Sequence, residues 1–128
     1  MADIAARKGT ILIPSGPSHD PNRKHLFVVC TEPCENESQL IVPVSTVTNS
    51  LCDQTCIIQA HEHGFLRHES FAFYRKSRVE PREALLTGVQ NKLFVPHDDM
   101  NAQTFLRVFN GICRSPETPR KIKIYADC

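Results

Sequence analysis

The chain has 128 residues, of which 41% are hydrophobic and 23% charged, the proportions of an ordinary globular protein. At this length we expect one domain with one core, and the composition excludes wholesale disorder. Fifteen basic and fourteen acidic residues give a formal net charge of +1. This balance excludes nucleic-acid binding through bulk charge and leaves only a local cationic patch.

The first residues, MADIAARKGT, contain no apolar stretch of signal-peptide length. The longest apolar runs, such as residues 26–30, are strand-sized and too short to cross a membrane. We therefore expect a cytoplasmic protein with no membrane partner. In that compartment the six cysteines are expected to be reduced thiols.

Five short segments rich in β-branched residues predict sequential strands, because Pro, Asn, Asp and Ser clusters separate them. They are TILIPS (10–15), HLFVVCT (25–31), QLIVPVST (39–46), TCIIQA (55–60) and SFAFYR (70–75). Short strands in this number favour a small bent sheet or a barrel.

The last third of the chain changes character. PREALLTG (81–88) predicts one or two helical turns, and a longer helix follows Pro96 and Asp98 and ends before SPETP. The tail RKIKIYA (120–126) alternates basic and apolar residues, which predicts an edge strand or an ordered extension. The predicted parts of the single domain 1–128 are a barrel at about 8–80, a helical part at about 81–113 and a C-terminal extension at 114–128.

Alternation along the fifth strand predicts a functional face. On an extended strand Phe71 and Phe73 point to one side, which we expect to be the core, and His68, Ser70 and Tyr74 point to the other. An imidazole exchanges protons near neutral pH, so His68 is the predicted general acid or base. Ser70 and Tyr74 are predicted to donate hydrogen bonds to a phosphate oxygen.

The densest run of cations lies at 67–82, interleaved with aromatic residues, and could contact phosphates and stack an unpaired base. A solvated rim around core aromatics is the alternative interpretation. The polar loop 15–24 carries His19, Asp20, Arg23 and Lys24, so an anion could be bound there, although a solvated hairpin loop is the alternative. The predicted substrate-binding residues are Ser70, Tyr74, Arg23, Lys24, His25 and Lys76.

The order of motifs is similar to that of a known family. The motifs are Gly9-Thr10-Ile11, Phe27-Val28-Val29, Pro43-Val44-Ser45-Thr46, and Gly64-Phe65-Leu66 with Ser70. Over roughly residues 8 to 113 this pattern resembles the MazF/PemK family of toxin-like barrels. The resemblance implies a mainly β fold with a C-terminal helix (α+β), built as a small SH3-like, MazF/PemK-type β-barrel.

The resemblance also implies a function. It is that of a dimeric endoribonuclease of a toxin-antitoxin system, which cleaves single-stranded RNA without a metal or other cofactor and is blocked by an antitoxin protein. Ser45 and Thr46 take the family's hydroxyl position, and Arg78 lies near its arginine. With Arg75 as a second cation at the phosphate, the predicted catalytic residues are His68, Arg78, Arg75, Thr46 and Ser45.

Two alternatives stay open. Arg75 stands where many members of the family have aspartate, which favours a non-catalytic module of the same fold that binds nucleic acid or a partner protein. The other is a metal-binding protein that uses histidine and cysteine ligands. Its candidate ligands are Asp53, Cys56, His61, His63 and His68, beside the cysteine pairs Cys30/Cys34 and Cys52/Cys56.

Overall fold

A computed structural model describes residues 6–14 and 23–128. The predicted anion-binding loop 15–24 therefore lies outside the described residues, except for its last two positions. The described strands are β1 Thr10–Pro14, β2 Lys24–Val29, β3 Ser38–Thr46, β4 Ile57–Ile58, β5 Ser70–Ala72, β6 Arg78–Pro81 and β7 Val95–His97. The helices are α1 Arg82–Gln90, α2 Ala102–Arg114 and α3 Arg120–Tyr125, with 3₁₀ turns at Ala60–Glu62 and Tyr74–Lys76.

The strands form one antiparallel sheet in the order β4-β5-β3-β2-β1-β7. The long strand β3 pairs with β6 along its first half and with β5 along its second half, where Val44 lies opposite Ala72. This mixed α+β fold, mostly β, confirms the predicted fold class. Within the described ranges the edge strands β4 and β7 are not paired with each other, so the predicted closed barrel is not observed.

The strands β1, β2 and β3 match their predictions closely, but β5, β6 and β7 do not. The fifth strand ends at Ala72 and continues as a 3₁₀ turn. The strands β6, with the sequence RVEP, and β7, with VPH, were not predicted because proline and charged residues disfavour strands. Their β structure comes from pairing with β3 and β1 rather than from local propensity.

Both predicted helices are confirmed. Of the two alternatives for 120–126, an edge strand or an ordered extension, the edge strand is wrong. That segment forms α3, which begins after Pro119 and buries Ile122. The apolar residues Ile122 and Tyr125 are three positions apart and pack on the core from one helical face, whereas Ile124 is 69% exposed. Alternation over so few residues did not distinguish a strand from this short amphipathic helix.

The sheet is covered on both faces. On one face α2 and α3 form the main core, whose members include Leu26, Val28, Leu40, Val42, Val44, Ala72, Tyr74, Phe105, Val108, Ile112 and Ile122. On the other face α1 contributes Leu85 to a smaller core with Ile11, Ile13, Phe27, Val29 and Ile41. Since α1 is only nine residues long, it covers this second face incompletely.

The uncovered part of the second face lies at the ends of β2 and β3. His25 is opposite Ile13 in the sheet, and Ser45 is opposite Phe71. His25 and Ser45 share a face because each is two residues from the facing pair of Phe27 and Pro43. We call the surface that carries His25, Ser45, Phe71 and Phe73 the open face.

Two further features concern the chain ends and membranes. Cys113 at the end of α2 and the last residue, Cys128, form a disulfide with an S–S distance of 1.98 Å. The expectation of reduced cysteines is therefore wrong for this pair, because α3 returns the chain to within 5.4 Å of Cys113, measured between Cα atoms. Among the described residues, no helix combines the length and the apolar character needed to cross a bilayer.

Candidate functional site

Two of three adjoining grooves lie on the open face, and the third lies at the end of the sheet, where its lining also includes Leu26 and Val44 of the main core. His25 lines all three. The histidine groove, between the start of β2 and residues 65–70, has a volume of about 370 Å³. The central groove, beside Asp53, has a volume of about 420 Å³, and the aromatic groove, beside Phe73, about 300 Å³. The histidine and central grooves share Arg23, His25, Ser45 and Thr46, and the central and aromatic grooves share His25 and Phe73, so the three grooves adjoin one another.

The histidine groove brings together most of the predicted site residues. These are Arg23, Lys24, His25, Ser45, Thr46, His68 and Ser70. Arg67 joins them, although the sequence indicated it only as part of a basic run. Among the residues that the structure describes, the groove combines two imidazoles, several hydroxyl groups and three permanent cations, and neither Asp nor Glu lines it.

Strand pairing explains why these residues meet. Thr46 at the end of β3 is opposite Ser70 at the start of β5, and the N–H of Val47 donates to the carbonyl of Glu69 at 2.9 Å. This pairing places the PVST stretch beside the segment that carries His68. Arg67 stabilises the preceding turn by donating from Nη1 to the carbonyl of Gly64 at 2.7 Å.

The two histidines of this groove differ in their surroundings. His25 is half-buried, and its burial together with the positive charge of Arg23 lowers the pKa of its imidazole. The side chain is therefore mostly neutral at neutral pH and can accept a proton. His68 is exposed at the mouth of the groove. The pair thus offers an uncharged proton acceptor and a second, solvent-accessible imidazole.

The prediction for the faces of the fifth strand is wrong for Ser70, Tyr74 and Phe73, whereas Phe71 is buried as predicted. Ser70, Ala72 and Tyr74 point into the main core, whereas Phe73 lines the central and aromatic grooves. Tyr74 is fully buried, its hydroxyl donates to the carbonyl of Val108 at 2.8 Å, and burial raises the pKa of the phenol. Tyr74 is therefore unable to bind a substrate, contrary to prediction.

Ser70 lines the histidine groove but is only 2% exposed. Its hydroxyl donates to the carbonyl of His68 at 2.9 Å. Because the single hydroxyl hydrogen is used in this bond, Ser70 cannot also donate it to a phosphate oxygen. Its contact instead positions the backbone of His68.

The other predicted cations lie outside the histidine groove. Arg75 lines the central groove and forms a 2.7 Å ion pair with Glu117. Lys76 and Arg78 line the aromatic groove, where the guanidinium of Arg78 is 4.7 Å from the centre of the Phe27 ring. The structure therefore separates Arg75 and Arg78 from His68, and the cations beside His68 are Arg23, Lys24 and Arg67.

The metal alternative lacks a converging set of ligands. Both ring nitrogens of His63 are used, since Nε2 donates to the carbonyl of Asp98 at 2.8 Å and Nδ1 accepts from the N–H of Phe65 at 3.1 Å. Asp53 accepts hydrogen bonds from Thr55 and Ser115. Within residues 6–14 and 23–128, no group of three or more His, Cys, Asp and Glu side chains is close enough to hold a metal ion.

The cysteine pairs are also divided by burial. Cys30 and Cys56 belong to the main core, whereas Cys34 and Cys52 are partly exposed. Burial raises the pKa of the Cys30 thiol to about 12, so it remains protonated near neutral pH. A protonated buried thiol packs as a small apolar side chain and is a poor zinc ligand.

No protein-family model and no curated protein matches this chain. The resemblance to the MazF/PemK family therefore stays a prediction. The chemistry of the open face is the remaining guide to function.

Proposed function

We propose that this protein binds single-stranded RNA on its open face and cleaves it in the histidine groove by a reaction that needs no metal. The supporting observation is that His25 and His68 line the same groove as Ser45 and Thr46. Two imidazoles can serve as the base and the acid of one reaction. The neighbouring cations of the groove match the charge of a phosphodiester.

The reaction is an intramolecular transesterification. The ribose 2′-hydroxyl attacks the adjacent phosphorus, and neutral His25 accepts the hydroxyl proton. Protonated His68 donates a proton to the departing 5′-oxygen as its bond to phosphorus breaks. The products are a 2′,3′-cyclic phosphate and a 5′-hydroxyl, so atoms and charge balance.

The remaining groups of the groove stabilise the transition state. Negative charge grows on the non-bridging phosphate oxygens as the 2′-oxygen adds. Arg23 and Arg67 can neutralise that charge, and the hydroxyls of Ser45 and Thr46 can donate hydrogen bonds to it. Because the nucleophile belongs to the ribose, DNA of the same sequence would bind without being cleaved.

We further propose that the protein acts as a toxin with a cognate antitoxin and forms a homodimer, on a sheet of SH3-like type. The resemblance of the motifs at 9–11, 27–29 and 43–46 supports this part of the proposal. Expression alone should then arrest growth, and the product of an adjacent small open reading frame should relieve the arrest. Light scattering of the purified protein measures whether a dimer forms.

The deciding experiment incubates purified protein with a long unstructured RNA in EDTA. Fragments that end in cyclic phosphate support the proposal, and intact DNA of the same sequence is the control. RNA binding without cleavage would instead indicate the non-catalytic module. Cleavage that stops in EDTA and returns with a divalent cation would contradict a metal-independent reaction.

A further inference from the structure

The aromatic groove has an apolar floor and a cationic rim. Phe27 and Pro43 are buried beneath it, and Phe73 is partly exposed at its side. Lys76 and Arg78 complete the lining with His25. Its volume of about 300 Å³ is at the small end of the range for ligand sites.

We propose that the aromatic groove holds one unpaired RNA base stacked on Phe73, with Lys76 and Arg78 contacting the phosphate of the same nucleotide. This inference rests on the proposed function, because it extends the RNA site beyond the cleaved bond. Every base has a π face, so stacking on an aromatic side chain tolerates any sequence.

Arg78 is already oriented for a phosphate. Its guanidinium lies over the ring of Phe27, which limits its rotation before any ligand binds. Nη1 is 3.8 Å from Glu80, which is longer than a hydrogen bond, and Nη2 has no hydrogen-bond partner among the described residues. Nη2 is itself buried, so a phosphate would reach the exposed part of the guanidinium, in a side chain that is 41% exposed.

The charge of the neighbouring grooves directs the strand toward Phe73. The central groove contains Asp53 and Glu117, and Glu117 already neutralises Arg75. The two acids of the central groove offset its cations Arg23 and Arg75. Among the described residues, Lys76 and Arg78 line the aromatic groove without Asp or Glu, although Glu80 lies 3.8 Å from Arg78. His25 and Phe27 are two residues apart on β2, a spacing of roughly 6.6 Å in a strand. Adjoining nucleotides can therefore occupy the histidine groove and the aromatic groove.

The test measures binding of short 2′-O-methyl oligonucleotides, which lack the nucleophile and cannot be cleaved by this reaction. Fluorescence anisotropy compares the wild type with Phe73→Leu, which keeps the apolar volume but removes the aromatic face. We expect binding to weaken roughly 5- to 150-fold, the loss that corresponds to about 1–3 kcal/mol for a stacked base. Phe73→Tyr should bind within about threefold of the wild type, since it keeps the ring.

Oligonucleotides with one abasic position locate the base. We expect one position at which base removal weakens binding to the wild type but not to Phe73→Leu, because both changes remove the same stacking contact. Leu106→Ala, an exposed change on α2, is the matched control and should behave like the wild type. Equal effects of every abasic position on the wild type and Phe73→Leu would overturn the inference.

The phosphate contact has a separate readout. Lys76→Ala should reduce the slope of log K against log salt by about 0.7, the value for one phosphate contact with a single strand. An unchanged slope would show that Lys76 does not contact a phosphate. If the wild type binds no oligonucleotide, the proposed function itself fails, whereas binding without coupling at Phe73 overturns only this inference.

Discussion

The hydroxyl of Tyr74 donates a 2.8 Å hydrogen bond to the carbonyl of Val108, in the middle of α2. This contact connects the helix to the segment that follows β5, next to Phe73 of the open face. It depends on Gly111, because a methyl group at that position would overlap the Tyr74 hydroxyl. The position of Phe73 on one face of the sheet is thus coupled to packing on the other.

We predict that Gly111→Ala destabilises the protein. Alanine is the better helix former by about 1 kcal/mol, but the buried overlap with Tyr74 should cost about 1–3 kcal/mol. Urea denaturation measures the free energy of unfolding. Asn110→Ala, at the adjacent exposed position of α2, is the control and should be neutral or stabilising. A gain in stability for Gly111→Ala would show that Tyr74 moves without cost.

The outcome at Tyr74 also shows where sequence patterns stop being informative. Alternation correctly separated residues 70, 72 and 74 from 71 and 73, but both sets contain aromatic side chains. Packing against α2 decides which set joins the main core, and α2 is distant in sequence. Ser45, Thr46, His68 and His25 were all predicted site residues, but their meeting in one groove depends on strand register, which the sequence alone does not give.

Glu62 gives the stability of this protein a specific dependence on acid. Partial burial opposes its ionisation, but hydrogen bonds from Arg107 and Thr104 outweigh burial and lower the pKa to about 2. The ordinary value is 4.5, so the stabilisation is complete above pH 4.5 and is lost as the pH falls toward 2. We predict that Glu62→Gln removes about 1–3 kcal/mol at neutral pH and flattens the stability curve below pH 4.5.

Urea denaturation at several pH values checks this prediction. Glu35→Gln, which changes an exposed carboxylate, should keep the slope of the wild type. Parallel curves for the wild type and Glu62→Gln between about pH 2 and 5 would show that the Arg107 and Thr104 contacts do not stabilise the folded state.

The Cys113–Cys128 disulfide should stabilise the C-terminal helix. It joins residues 15 apart in sequence, and closing such a loop restricts the unfolded chain by about 3 kcal/mol. We predict that Cys128→Ser, or a thiol reductant, lowers the free energy of unfolding by about that amount. Cys52→Ser changes a free cysteine and should have little effect.

Counting thiols in denaturant tests the pairing directly. Four thiols, those of Cys30, Cys34, Cys52 and Cys56, are expected before reduction. All six cysteines of the chain should react after reduction. Six thiols without reductant would mean that the bond does not form in solution.

The histidine groove predicts a selective loss of activity. His68→Gln should lower the rate of RNA cleavage by about 10²- to 10⁴-fold, the usual contribution of one proton-transfer group. The exposed His68 side chain should contribute little to folding, so the thermal midpoint should stay nearly unchanged. His61→Gln, an exposed change outside the histidine groove, should leave cleavage intact. Equal loss of activity in both variants would exclude a special role for His68.

The pKa of His25 predicts the acid side of the pH profile. Burial and the charge of Arg23 lower this pKa below its ordinary value of 6.5, so His25 remains neutral at pH 7 and protonation slows cleavage only below pH 6.5. Arg23→Gln removes one of the two causes, and the inflection should therefore move to higher pH. Single-turnover cleavage in EDTA from about pH 5 to 8 measures the inflection. Lys24→Gln removes a neighbouring charge that does not lower this pKa, so an equal upward shift in that variant would contradict a specific effect of Arg23 on His25.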